Sequence, residues 1–359
     1  MTIRCAIAGC GMVADEYART LSRSHTVDLV ACTDIDRDRA RAFAQRHAIS
    51  DVATLDHLDA DLVIVLAPPA HHVAVASAAV LAGIPVYIEK PLAVSARDAE
   101  ALLALARRNG VLVGAAPDTF LAPPAMAAAT AIAAGLIGEP VAATAALLSA
   151  GPERWHPNPE PIYDLGPLLD MGPYYLTTLI YLLGPLTGVD GASSTRRPTR
   201  TNASGVTFTV EGPTHLDALL RTRARVPVTL TTSFDIQATT RPHLEIYGTE
   251  GTLVLPDPNF HTGVVRIRRR DDHTWRTLPQ PASPFDVVGR GMGVLDFAEA
   301  LRTGRPAQAT GEFALHILQV METVREVAAS GVRCAVPPLA AQASVRESRG
   351  HEGSGRTAG

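Results

Sequence analysis

The sequence begins with a short apolar segment that runs directly into a glycine-rich turn and then into an amphipathic helix. Residues 3–8 predict a buried strand, and Gly9, Gly11 and Ala14 follow it in the pattern G-x-G-x-x-A. In this context the first glycine permits a tight turn, the second lets the backbone approach a pyrophosphate, and the alanine lets the helix pack on the strand. The first amide groups of the helix face that pyrophosphate. We therefore expect a dinucleotide to contact Gly9, Gly11, Met12 and Val13.

The second predicted strand covers residues 27–33 and ends at Asp34, which lies 20 residues after Ala14. A carboxylate at this position can accept hydrogen bonds from the adenosine ribose, and it repels a ribose 2′-phosphate. This favours NAD as the cofactor, although the nearby Arg37 and Arg39 leave NADP possible. The alternative is that Asp34 is only the N-cap of the helix predicted over residues 36–46.

Strands and helices alternate up to about residue 116, which predicts a Rossmann domain over residues 1–116, a doubly wound parallel sheet with right-handed crossovers. The apolar strand 62–66 and the strand that begins at Val86 both end in polar turns. Open α/β sheets bind ligands at the carboxyl ends of their strands. The alternative is that the pair Glu89 and Lys90 is only a solvated part of a loop. We expect further cofactor contacts from Ala67, Pro68, His72, Glu89 and Lys90.

The pattern changes after this point, and we predict a second α/β domain over residues 117–340 with a large, mostly antiparallel open sheet. The segment 151–167 is rich in glycine and proline and is predicted to be a long loop that carries His156. A helix predicted over residues 168–183 carries Asp170 and Tyr174, which are four residues apart and share one face. Asp170 can equally be the N-cap of that helix. The tail, residues 341–359, has no apolar periodicity and is predicted to be disordered.

The composition excludes several classes of protein. The 359 residues are 47% hydrophobic and 19% charged, which predicts a globular protein with a sizeable core. A net charge of −4 offers no general attraction to nucleic acid. No apolar run reaches the ~18 residues that a membrane span needs. The four cysteines lack metal-site spacing and are expected to be reduced thiols, so we predict a cytoplasmic protein without a bound metal.

Over about residues 3–335 the chain resembles the glucose–fructose oxidoreductase / inositol dehydrogenase (Gfo/Idh/MocA) family of NAD(P)-dependent oxidoreductases. The resemblance is carried by Gly9-x-Gly11-x-x-Ala14, Pro68-Pro69-x-x-His72, Glu89-Lys90-Pro91, Asp170-x-Gly172 and the hairpin Tyr247-Gly-Thr-Glu-Gly-Thr-Leu. It implies a sugar, cyclitol or sugar derivative as the substrate, and it places Lys90 near the nicotinamide and the reacting group. It also implies that the second sheet makes oligomer contacts, so we expect a homodimer or homotetramer.

One position departs from that family. Many members carry a histidine acid/base on the helix after the Asp-x-Gly motif, whereas this helix offers Tyr174 and Tyr175. The role therefore passes to Tyr174, to Lys90 or to His156, or it is lost. A lysine beside a tyrosine is a workable acid/base pair, and burial near a nicotinamide cation would lower the pKa of Lys90 towards that of a base. We predict Lys90, Tyr174, Asp170 and His156 as catalytic residues. If the role is lost, the chain is a non-catalytic dinucleotide-binding regulator on the same fold.

Overall fold

The first part of the chain forms a six-stranded sheet in the computed structural model, which describes residues 2–54 and 57–339. Its strands are β1 (Ile3–Ala8), β2 (Val27–Thr33), β3 (Asp51–Val52), β4 (Leu62–Val65), β5 (Val86–Ile88) and β6 (Val113–Ala115). The helices between them are α1 (Met12–Leu21), α2 (Arg37–His47), α3 (His72–Leu81) and α4 (Ala96–Arg108). All neighbouring strands run parallel, in the order β3-β2-β1-β4-β5-β6. The predicted Rossmann fold is confirmed. The strand order reverses between β1 and β4, which is where such sheets bind ligands.

The rest of the described chain forms a larger sheet with its own helices. The elements are α5 (Pro123–Ala133), β7 (Pro140–Leu148), α6 (Glu160–Leu183), β8 (Leu186–Ser194), β9 (Thr199–Thr201), β10 (Thr207–Thr209), β11 (His215–Thr222), β12 (Pro227–Ser233), β13 (Leu244–Gly248), β14 (Gly251–Leu255), β15 (Arg266–Arg269), β16 (Arg276–Thr277), α7 (Met292–Thr303), α8 (Gly311–Ser330) and β17 (Cys334–Ala335). Nine strands lie in the order β16-β15-β14-β13-β7-β12-β11-β8-β17, and β9 pairs with β10 separately. Strands β7 and β12 run parallel, and the other neighbours run antiparallel. The predicted large, mostly antiparallel sheet is confirmed.

Helix α6 begins earlier than its sequence predicts. Residues 160–165 are helical, so the expectation of a loop up to residue 167 is wrong. The helix changes direction at Gly166, whose φ is +70°, and Pro167 then starts the second segment, where a missing amide hydrogen is tolerated. Asp170 therefore lies within the first turn of that segment and does not cap it. This bend sets the direction of the segment of α6 that carries Asp170 and Tyr174.

The nine-stranded sheet is covered by helices on one face. Helices α6 and α8 contact β7, β8, β11 and β12, and the residues of β11 alternate between buried and more exposed positions. The alternation means that the opposite face of the sheet remains at the surface of the single chain. None of the helices in the described part of the chain has the length and hydropathy of a membrane span. The tail predicted to be disordered lies outside the described residues.

Candidate active site

Helix α1 begins at the glycine-rich turn with no side chain over its first amide groups. Gly11 is its N-cap residue, with φ −79° and ψ −170°. A Cβ atom built on Gly11 would meet no atom within 4 Å, so the space in front of the helix is open. A Cβ atom on Gly9, whose φ is +104°, would lie 2.5 Å from the backbone nitrogen of Ala67. The fold therefore requires Gly9, whereas Gly11 keeps room for an anion at the start of the helix that contains Met12 and Val13.

A cavity of about 550 Å³ lies beside this turn, at the ends of β1, β2 and β4. Four predicted cofactor contacts are among the residues that line it: Gly9, Asp34, Ala67 and Pro68. Ile35 also lines it with a fully exposed side chain. An apolar surface beside a carboxylate, next to an open helix start, matches the adenine, ribose and pyrophosphate of a dinucleotide. The residues present therefore fit the predicted cofactor.

Asp34 is part of the cavity wall and not a helix cap. Its carboxylate oxygens accept hydrogen bonds from the amides of Cys10 (2.8 Å) and Asp36 (2.9 Å), and Arg39 Nη1 lies 3.6 Å away. The N-cap of α2 is Asp36, which accepts from the amides of Asp38 and Arg39. The alternative interpretation of Asp34 as the N-cap is therefore wrong. Asp34 instead links the glycine-rich turn to the end of β2, and its contact with a ribose stays a prediction.

Lys90 follows β5 and directs its ammonium group at helix α6. Its Nζ atom donates to the carboxylate of Asp170 (2.9 Å) and to the main-chain oxygen of the same residue (2.6 Å). The Nζ atom also lies 5.5 Å from the centre of the Tyr174 ring. Burial alone would lower the pKa of Lys90, but Tyr174, Asp170 and Glu89 outweigh it and raise the pKa above its ordinary value. Lys90 is therefore held in its protonated form, and the lowering of its pKa beside a nicotinamide cation stays a prediction.

Tyr174 lies beside Lys90, but its hydroxyl group has a different partner. The hydroxyl oxygen accepts a hydrogen bond from Arg290 Nη1 (2.8 Å), and the Arg290 Cζ atom lies 5.7 Å from the ring centre. Tyr174 is 3% exposed. Burial raises the pKa of Tyr174 above its ordinary value, and Lys90 and Arg290 act in the opposite direction. The phenol is therefore neutral at rest and is flanked by two cations.

Glu89 faces the protein interior behind Lys90. It is 7% exposed, and its Oε2 atom accepts a hydrogen bond from the Tyr17 hydroxyl (2.9 Å). Its Oε1 atom lies 3.9 Å from Arg290 Nη1. The structure thus uses this carboxylate to connect helix α1 with the end of β5, and its contact with the cofactor stays a prediction.

A second buried carboxylate, Asp118, holds the start of helix α7. It is 1% exposed, pairs with Nε2 of His261 (2.8 Å), and accepts hydrogen bonds from the amides of Gly291 (2.8 Å) and Gly293 (2.9 Å). Burial opposes ionisation of this group, but His261 and the amide hydrogen bonds hold the pKa of Asp118 below its usual value. Because Arg290 immediately precedes Gly291, this pair also fixes the backbone from which Arg290 extends.

The hydrogen bonds of the two predicted histidines are with main-chain groups. His72 is 1% exposed, and its ring nitrogens lie 2.8 Å from the main-chain oxygens of Pro91 and Ala67. It therefore supports the turn that carries Lys90, and its contact with the cofactor stays a prediction. His156 Nδ1 accepts from the amide of Asn158 (3.1 Å) within its own loop. Among the described residues no contact joins His156 to Lys90, so the structure does not bring it to the other three predicted catalytic residues.

Arg290 is the residue of this site that the sequence did not indicate. It lies 116 positions after Tyr174, and its contacts with Tyr174, Glu89 and Glu16 are all long-range. The one local signal is that it stands between Gly289 and Gly291, immediately before a helix. An arginine with a glycine on each side is compatible with a fixed position, but this pattern does not indicate which residues the arginine contacts.

Comparison with known protein families gives two adjacent matches. Residues 3–116 match the GFO/IDH/MocA model described as "Oxidoreductase family, NAD-binding Rossmann fold". Residues 125–254 match the GFO/IDH/MocA C-terminal domain. The first range contains the cavity and Lys90, and the second contains Asp170 and Tyr174.

Individual relatives agree with this assignment. A dTDP-3,4-didehydro-2,6-dideoxy-alpha-D-glucose 3-reductase from Streptomyces antibioticus is 30% identical over 86% of this chain and 90% of its own length. An inositol 2-dehydrogenase from Saccharopolyspora erythraea is 35% identical, but over 39% of this chain and 44% of its own length. A crystal structure of an NAD binding oxidoreductase from Klebsiella pneumoniae shares the fold with a TM-score of 0.80 and 23% identity over 94% of this chain and 100% of that chain. A levoglucosan dehydrogenase in complex with NADH and L-sorbose also shares the fold, with a TM-score of 0.78 and 19% identity over the same fractions of the two chains.

Proposed function

The chain belongs to the GFO/IDH/MocA family of NAD-binding oxidoreductases, and on that premise we propose that it transfers a hydride between a nicotinamide cofactor and the hydroxyl or keto carbon of a sugar, cyclitol or sugar derivative. The observation that carries the proposal is the meeting of Lys90, Asp170 and Tyr174 after the carboxyl end of β5. An ammonium group beside a phenol at such an edge can bind a substrate oxygen and move its proton.

The residues that would hold the dinucleotide are those of the open helix start and the neighbouring cavity. Gly11 leaves room for the pyrophosphate, and Asp34 offers a carboxylate to the ribose. NAD, when bound, supplies or accepts the hydride. The charge of Asp34 favours NAD over NADP. Arg39, whose Nη1 atom lies 3.6 Å from that carboxylate, is the group that would bind a 2′-phosphate if NADP were used.

Lys90 and Tyr174 would donate or accept the proton that the substrate oxygen gains or loses. In the direction of reduction, a carbonyl oxygen gains a proton that either the ammonium group or the phenol can donate. Asp170 holds the ammonium group through two contacts, which limits its movement. In the direction of oxidation the same groups must first lose a proton. Because the pKa of each is raised, oxidation should become faster towards alkaline pH.

The substrate class that we favour within this family is a nucleotide-linked deoxysugar. The supporting observation is the length of the match, because the dTDP-sugar 3-reductase matches both the Rossmann part and the second part of this chain. The inositol dehydrogenase matches a much shorter part of the chain. A non-catalytic regulator is the second candidate, and the absence of the expected histidine from α6 is what favours it.

We also propose a division of the chain into a cofactor domain, residues 1–116, and a substrate and oligomerisation domain, residues 117–340. The face of the nine-stranded sheet that is opposite α6 and α8 carries exposed residues such as Leu219, which is 45% exposed. A homodimer or homotetramer that covers this face would bury them. Light scattering of the purified chain would give its mass, and a monomer at micromolar concentration would contradict this part of the proposal.

The test of the proposed function is cofactor turnover with a substrate panel. NADH oxidation would be measured with dTDP-linked keto-deoxysugars and free keto-sugars, and NAD reduction with inositols and anhydrosugars. We expect turnover with at least one member, and the Lys90→Ala variant is the matched control. NADH binding without turnover of any member would favour the regulator.

A further inference from the structure

We propose that Arg290 is a positioning residue that fixes the Tyr174 hydroxyl as a proton donor and ties it to the dinucleotide-binding helix α1. The inference rests on the proposed function, because the role of Tyr174 is proposed there. It adds a residue that lies outside the glycine motif, the Glu-Lys-Pro turn and helix α6.

The hydrogen bond between Arg290 and Tyr174 has one possible direction. A guanidinium group donates hydrogen bonds and cannot accept them, so the phenolic oxygen accepts from Nη1 at 2.8 Å. The phenolic proton must therefore point to a different partner, which leaves it available to a substrate oxygen. When the phenol gives that proton away, the oxygen keeps a charge-assisted hydrogen bond to Arg290. The arginine thus orients the donor and stabilises the anion that donation leaves.

The charges around this hydrogen bond come from several elements. Glu16 of α1 accepts from Arg290 Nε at 2.8 Å, and Glu89 lies 3.9 Å from Nη1. Two carboxylates therefore neutralise the arginine, which remains charged at every working pH. Lys90 adds a second positive charge, and its Nζ atom lies 5.5 Å from the centre of the Tyr174 ring. Tyr17 and Asp118 also raise the pKa of Arg290, and Asp170 raises the pKa of Lys90.

The backbone holds Arg290 against α1. Gly291 has a φ of +108°, and a Cβ atom there would lie 3.3 Å from the side chains of Leu21 and Tyr17. Asp286 ties the same segment to the end of α1, because its carboxylate accepts from the Ser24 hydroxyl (2.9 Å) and the His25 amide (2.7 Å). These contacts therefore hold the guanidinium group of Arg290 in a fixed position relative to α1, the helix that would bind the cofactor phosphates.

The direct test observes the phenol itself and does not need a substrate. Tyrosine labelled with ¹³C at Cζ gives one resonance per residue, and Tyr174 is the resonance that Tyr174→Phe removes. Arg290→Gln should shift this resonance and raise its ionisation midpoint by at least about one pH unit, the lower end of the effect of a neighbouring opposite charge. Arg290→Lys keeps the charge and should shift it less. Arg302→Gln is the matched control, because Arg302 is an exposed arginine paired with Glu299 on α7.

A Tyr174 resonance that is the same in the wild type and in both Arg290 variants would overturn the inference, and so would an equal shift in Arg302→Gln. If Arg290→Gln does not fold, the Tyr174 resonance of Arg290→Lys is compared with that of the wild type instead. With an active substrate, Arg290→Gln should lower kcat by about tenfold or more with a smaller change in KM. It should cause no further loss in a Tyr174→Phe background. If no substrate is turned over, the proposed function fails while the resonance still decides the role of Arg290.

Discussion

The two glycines of the first turn should respond to substitution in opposite ways. Gly11→Val should weaken dinucleotide binding strongly and leave the stability of the fold nearly unchanged, whereas Gly9→Ala should destabilise the fold. The difference follows from their surroundings, because a Cβ atom at position 11 meets nothing within 4 Å and one at position 9 lies 2.5 Å from the backbone nitrogen of Ala67.

The size of each effect can be worked out from the same geometry. Gly11 has a negative φ that valine adopts readily, so only its N-cap preference is lost, about 1 kcal/mol or less of the free energy of unfolding. A valine side chain there occupies the space in front of α1 and removes about two charge-assisted hydrogen bonds to a phosphate, about 3–6 kcal/mol. That corresponds to a loss of NADH affinity of about 10²–10⁴-fold. For Gly9→Ala, strain at a positive φ costs about 1–3 kcal/mol, and overlap with backbone atoms adds a cost of similar size, about 1–3 kcal/mol.

The assays are NADH fluorescence titration and urea unfolding, applied to the wild type and both variants. Gly11→Val should unfold close to the wild type and bind NADH at least about 10²-fold more weakly. Wild-type NADH affinity in Gly11→Val would show that the pyrophosphate binds elsewhere. Equal destabilisation by the two substitutions would refute the inference that the space at Gly11 is open.

Three further predictions concern individual charges. Asp34→Ser should improve NADP relative to NAD in titrations, with Asp34→Asn as the control that retains an acceptor for the Cys10 amide; a wild type that already prefers NADP would contradict this. Lys90→Ala should lower kcat by about 10²–10⁴-fold and change NADH affinity much less, and full activity would assign the proton to another group. Asp118→Ala breaks a buried pair with His261 and should reduce the free energy of unfolding at pH 7 by about 3–5 kcal/mol. Because burial opposes ionisation but His261 holds the pKa of Asp118 below its usual value, the part of this stability that depends on the ionised carboxylate is present above about pH 4 and is lost as the pH falls through the native pKa. Urea unfolding of the wild type and of Asp118→Ala at pH 7 and in acid checks this. A difference in the free energy of unfolding that is equally large in acid would contradict it.

The Rossmann part was predictable because its signals are local. Strand β1 was predicted over residues 3–8 and β2 over residues 27–33, and both have those bounds in the structure. Each is a short apolar run that ends at a turn residue, so the pattern and the element coincide. The hairpin of β13 and β14 was found for the same reason, since glycines bound its turn.

Predictions failed where a distant contact or a bend decides the structure. The first segment of α6 was missed because its glycine and prolines were interpreted as a loop, whereas Gly166 and Pro167 bend a helix. Asp34 resembled an N-cap, but Asp36 takes that position because its side chain reaches the first amides of α2. The contacts of His72 depend on where the chain returns in three dimensions, and sequence spacing carries no information on that.

The proposed role of Tyr174, in place of a histidine, has consequences that connect these observations. A phenol has a reference pKa of about 10, against about 6.5 for an imidazole, and burial raises the phenol further. A buried tyrosine is therefore a poor proton donor unless positive charge surrounds its oxygen. The structure provides Lys90 beside the ring and Arg290 on the oxygen, and it offsets them with Asp170, Glu89 and Glu16. The charges that surround Tyr174 thus come from α1, from the turn after β5, from α6 itself and from the segment before α7. We expect that introducing histidine at position 174 alone would not give an efficient enzyme, because Arg290 would then face a ring that becomes a second cation on protonation.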